Sequence, residues 1–152
     1  MQTVDDVALI LQQAGTEIEQ IAAIVEDEPG SWQMYFEDGY AFTIGFSEER
    51  QALELIAVLG APDPQKELDV LRTMLCYQLL WRGSAEPRIA LDAHLSSLIC
   101  LCELDVQIAA KPGFVDRLLE FWQQSAMLAE MVANSASMSL PPPSTERMRN
   151  HA

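Results

Sequence analysis

Between Ala52 and Leu104 the sequence changes period twice, from strand to helix and back, and few folds accommodate that order. Ala52-Leu-Glu-Leu-Ile-Ala-Val-Leu-Gly60 reads as a strand, with Leu53, Leu55, Ala57 and Leu59 on one face and Ile56 and Val58 on the other. Ala61-Pro62-Asp63-Pro64 breaks it. Asp63 is a favoured N-cap and Pro64 suits a first helical position, so a long helix is expected to begin there. It should run to about Arg82 and stop at Gly83. Two short strands follow, near 88–92 and 97–104, apolar on both faces and joined by Asp92-Ala-His-Leu-Ser-Ser.

The long helix is apolar on two sides. Leu68, Leu71, Leu75 and Leu79 make one row; Val70, Met74, Tyr77 and Trp81 make another. Such a helix must be covered on both sides. In a chain of 152 residues, one of those covers is expected to be a second subunit.

Upstream, Thr3 and Asp6 have capping-box spacing, and Val4, Val7, Ala8, Leu11 and Ala14 share one helical face that should end at Gly15. Residues 16–30 fit a short helix or a strand; their β-branched content favours a strand, closed by the turn Asp27-Glu-Pro-Gly30. Trp32, Met34 and Phe36 then alternate, Asp38-Gly39 signals a hairpin, and Tyr40, Phe42, Ile44 and Phe46 alternate on the return strand. Gly45 thins that strand's other face enough to admit a close backbone. Near the other end, Pro112 opens a last helix with Phe114, Leu118, Phe121, Trp122, Ala126 and Ala129 among its apolar positions, fading near Asn134. Residues 135–152, with Pro141-Pro-Pro, lack periodicity and are expected to be a disordered tail outside a single domain of residues 1–134.

Composition removes several functional classes. Acidic residues number 23 against 9 basic, a formal charge of -14. Phosphate and anionic lipid surfaces need clustered Lys and Arg, so neither nucleic acid nor membrane is an expected partner. The N-terminus lacks the basic and apolar regions of a signal peptide, and no apolar run approaches transmembrane length; a cytoplasmic protein is expected. Cys76, Cys100 and Cys102 are three, an odd number without accompanying ligand pairs. They read as buried apolar thiols rather than disulfides or a metal site. His94 stands alone in a turn, with no nucleophile or orienting acid nominated beside it. The acidic pairs fall at helix starts and turns, which explains them without acid–base chemistry. No catalytic residue, cofactor or metal is expected, so function must lie in surfaces.

The order helix, three strands, helix, two strands, helix, in a small acidic chain, resembles the class I type III secretion chaperones of the Tir-chaperone type. The resemblance spans roughly residues 3–134, and its sharpest stretch runs from the third strand through Ile89-Ala-Leu-Asp92. Gln78 stands where many members carry an Asn in the second helix. The resemblance implies an α+β fold, α-β-β-β-α-β-β-α, with a twisted antiparallel sheet packed by helices. It implies a homodimer through the second helix and the strand after it, here Leu71, Leu75, Leu79, Ile89 and Leu91. It also implies that the N-terminal segment of a secreted effector is held extended against the first helix and the sheet, soluble and ready for export. The corresponding candidates are Val4, Val7 and Leu11 on the helix and Trp32, Met34, Phe36, Phe42 and Ile44 on the hairpin. Strand alternation lets only one face of each strand serve, and the sequence leaves open which face is core. An adaptor of the same fold without a secreted client is the other reading; a small enzyme would need a polar constellation that the sequence does not offer.

Overall fold

The capping box forms as spaced. In the computed structural model, which describes residues 1–81 and 87–134, the Asp6 amide donates to Thr3 Oγ1 at 3.3 Å and the Thr3 amide to Asp6 Oδ2 at 2.8 Å. These bonds start α1 (Val4–Glu17) and hold the Asp6 carboxyl below its usual range. The helix passes through Gly15 and ends against Ile18, two residues beyond the stop read from the sequence. Gly15 is there for space: a Cβ would lie 3.0 Å from the Ile24 side chain.

Four strands follow: β1 (Ile21–Glu28), β2 (Ser31–Phe36), β3 (Ala41–Ser47) and β4 (Ala52–Gly60). The stretch 16–30 thus contributes a full strand, giving four rather than three between the first two long helices. Gly30 turns β1 into β2 at φ +83°, and an added Cβ would sit 3.4 Å from the Phe46 carbonyl oxygen. Asp38-Gly39 forms the hairpin as read; the Gly39 amide donates to the Phe36 carbonyl and the Tyr40 amide to Asp38 Oδ1. Gly45 does not admit a close backbone: nothing lies within 4 Å of where its Cβ would be.

The helix after β4, α2 (Glu67–Leu80), starts later than Asp63-Pro64 suggested. The Asp63 carboxylate instead caps a preceding turn, accepting from the Gln65 amide at 3.0 Å, while its carbonyl accepts from Lys66. The predicted stop at Arg82-Gly83 and the predicted tail, 135–152, lie outside the described residues. β5 (Arg88–Asp92) and β6 (Ser97–Asp105) form a further hairpin after α2. A short helix that the sequence did not announce, α3 (Val106–Ala109), is capped by Asp105, whose carboxylate accepts from the Gln107 amide at 2.8 Å. The last helix, α4 (Phe114–Ala133), begins two residues after Pro112 and ends at Asn134.

All six strands form one antiparallel sheet in the order β1-β2-β3-β4-β6-β5. One face carries the core. Trp32, Met34, Phe36, Phe42, Ile44, Leu53, Leu55, Ala57, Leu59, Leu98, Cys100, Cys102 and Leu104 point into it from the strands. The helices supply Val7, Leu11 and Ala14 from α1, Val70 and Met74 from α2, and Phe114, Leu118, Phe121, Leu128 and Val132 from α4. The aromatic contacts lock α4 to the hairpin: Trp122 stacks on Phe36 with centroids 4.5 Å apart, and Phe121 meets Phe42 edge-on at 5.0 Å. Ser125, fully buried in α4, donates to the Phe121 carbonyl at 2.6 Å, so its hydroxyl is satisfied within the helix. The opposite face of the sheet, with Gln33, Thr43, Ile56, Val58, Ile99 and Leu101, lies outside this core.

Candidate interaction surfaces

Most candidate client-binding side chains from the sequence are core residues. Trp32, Met34, Phe36, Phe42 and Ile44 are each at most 3% exposed, and Val7 and Leu11 are fully buried. As folded they offer a partner no surface; only Val4, half-buried, reaches solvent. Alternation was read correctly but the helix-covered face is the aromatic one, because large rings fill the space under α1 and α4 best. Among the larger apolar residues left outside in this half are Leu9 on α1, Val25 on β1 and Tyr35 on β2.

The dimer candidates fare differently. Val70 and Met74 bury one row of α2, with Tyr77 and Trp81 packed partly beneath it. The other row stands out: Leu68, Leu75 and Leu79 are 63%, 65% and 57% exposed. Leu80, Leu91 and Leu95 are also exposed, while Leu71 and Ile89 are half-buried against the core. Exposed leucines at this helical spacing make the row a candidate interface. Leu68, Leu80 and Leu95 were not among the candidates read from the sequence, although Leu68 lies in the row it identified and all three are exposed.

The two edges of the sheet are not equivalent. At β5 the Ile89 amide donates to Gln78 Oε1 of α2 at 2.7 Å. The helix side chain thus takes up an edge donor and ties β5 to α2. At the other edge, β1 is exposed along most of its length and paired only with β2. Two register irregularities, at Ile21/Ala23 and Glu26/Glu28, twist it without covering it.

Neither of two grooves holds a catalytic arrangement. One of about 520 Å³ is floored by Leu55, Cys102, Leu104 and Phe121, with Arg117 and Glu120 on its rim. The other, about 440 Å³, runs between Ile10 and Ala14 of α1 and Phe114 of α4, with Glu17 and Lys111 flanking. Burial pushes the Cys100 thiol up to about 12, helped by Cys102, and burial likewise raises Cys102. Both thiols are therefore protonated and poor nucleophiles at neutral pH. His94 sits exposed in the turn after β5, as read. Among the described residues no group of three or more His, Cys, Asp or Glu side chains is placed to hold a metal ion, and no helix is long and apolar enough to cross a membrane.

The sequence matches the Tir chaperone protein (CesT) family over residues 9–128, most of its length. The chain belongs to that family. Solved structures agree on the fold. A chain in the structure of the HopA1-SchA chaperone-effector complex matches with a TM-score of 0.60 at 18% identity, covering 83% of this chain and 91% of that one. A chain in the ExsC-ExsE complex matches with a TM-score of 0.53 at 17% identity, covering 82% and 96%. No curated protein matches the sequence.

Proposed function

We propose that this protein is a type III secretion chaperone that holds the N-terminal segment of one or a few effectors in extended form. Membership in the CesT family over residues 9–128 is the observation that carries the reading. The surfaces supply its mechanism. Two copies join through Leu68, Leu75 and Leu79 of α2, with Leu91 beside them, removing that exposed apolar row from water. The client runs along the rest of the surface. It adds a strand at the β1 edge, where backbone groups are open, and sets apolar side chains near Leu9, Val25 and Tyr35. Binding is passive and uses no nucleotide or metal, and the protein is not an enzyme. Keeping the segment extended prevents it from collapsing on itself and leaves it threadable. The chaperone works in the cytoplasm, before export.

Co-expression with N-terminal fragments of effectors from the source cell tests this. A cognate fragment should become soluble and elute with a dimer of the chaperone. If every effector fragment stays insoluble or elutes separately, the reading fails.

A further inference from the structure

The β1 edge has an unusual electrostatic setting. Residues 1–49 contain eleven Asp and Glu and no Lys or Arg; all nine basic residues lie at Arg50 or beyond. Seven of those carboxylates gather at the two ends of β1. Glu26, Asp27 and Glu28 are exposed at its C-terminal end. At its N-terminal end, Glu17 and Glu19 come from the end of α1 and the turn after it. Glu37 and Asp38 come from the β2–β3 turn, brought alongside by the Glu37 amide donating to the Gln20 carbonyl at 2.9 Å. Between the two groups lie five uncharged residues, Ile21-Ala-Ala-Ile-Val25, with Ala22, Ala23 and Val25 exposed. The ion pairs among the described residues run from Arg50 to Glu54 and Glu103, away from this edge.

We infer that the strand captured at the β1 edge carries Lys or Arg at both ends and about five apolar or small residues between them. This rests on the proposed role of β1 as the docking edge and adds the chemistry of the occupant. The uncharged centre of β1 matches an uncharged strand in backbone pairing. Among the described residues the flanking carboxylates form no ion pair, and an incoming basic residue supplies the cation. A second copy of this chain does not fit: pairing two β1 edges brings like charges together at both ends, in either strand direction. The other sheet edge does not compete, since Gln78 occupies its Ile89 donor.

The test uses the full chain and three synthetic peptides that share one alternating Val/Ser centre and differ in flanks: Lys, Gln or Glu. Calorimetry at low salt should rank Lys above Gln by roughly tenfold or more, with no binding by the Glu peptide. Raising the salt to about 1 M should bring the Lys and Gln peptides together, because these charges are exposed. N-methylation of alternate central residues of the Lys peptide, tried in both phases, should abolish binding in one phase. The double variant Glu26→Lys/Glu28→Lys, changed only at exposed positions, should lose most of the preference. Equal binding by the Lys and Gln peptides, with N-methyl sensitivity kept, overturns the charge inference and leaves the edge reading standing. Lys-peptide binding indifferent to N-methylation in both phases overturns the edge reading and this inference with it, as does failure of all three peptides to bind.

Discussion

Cys100 and Cys102 sit one step apart on the inward face of β6, and their environment makes a pH prediction. The Cys100 thiol is pushed up to about 12, from an ordinary value near 9.0, chiefly because burial disfavours the thiolate. A folded value above the unfolded one means the stabilisation is complete below pH 9. It is lost as pH rises from there toward the folded value. Chemical denaturation between pH 8 and about 10.5 should therefore show a steeper fall for the wild type than for Cys100→Val. Parallel slopes would show that this thiol is not what the fold protects. Individual residues also mark the limits of reading a sequence. Thr3 and Asp6 were legible because a capping box is purely local. Gly15 and Asp63 were not, because each has a second use that only tertiary structure chooses. Gly15 makes room for Ile24 instead of ending a helix, and Asp63 caps a turn rather than α2.

At the scale of elements, α2 was the most legible and the β2–β3 hairpin the most ambiguous. Helical periodicity separates two rows by angle, and the structure buries Val70 and Met74 while leaving Leu68, Leu75 and Leu79 out. A strand has only two faces, and both of its alternation classes can be packed; choosing between them needs the helices that cover one. That choice put Met34 at 0% exposure in the core. Met34→Ala should accordingly cost about 2–5 kcal/mol, read as a lowered denaturation midpoint, where loss of a mere contact residue would leave the isolated protein unchanged. β1 was legible as a β-branched stretch but not as an edge, since strand order is set by long-range pairing. For α2 the opposite outcome is expected. Leu75→Asp changes a side chain already in water in the single chain, so folding of the protomer should survive. The same change sets an unpaired charge into the proposed dimer contact. Light scattering should show a wild-type dimer and a variant monomer at micromolar concentration. A wild-type monomer would sink the dimer.

The whole molecule is a single sheet with its helices packed into one core on one face, and that asymmetry governs what binding should look like. The core is complete without the surfaces assigned to binding: Leu68, Leu75, Leu79, Val25 and Tyr35 are all exposed while the inward rows are full. On the proposed reading a client does not open the fold; it covers apolar residues already in water and fills an edge already unpaired. Such binding has a defined thermodynamic form. Covering exposed apolar groups gives a negative heat-capacity change, and ordering an extended segment costs entropy, so affinity rests on a few anchors rather than on contact area. The seven carboxylates around β1, in a chain of net charge -14, should steer basic segments inward and so act mainly on the rate of association. Calorimetry of the protein with a cognate effector segment, repeated across temperature, should give an enthalpy that becomes more negative on warming. Rising salt should slow association far more than it speeds release. ATP and a chelator should change neither quantity. An enthalpy independent of temperature would mean that little apolar surface is buried and that charge alone holds the client, which a chaperone with this exposed leucine row and neutral strand centre is not built to do.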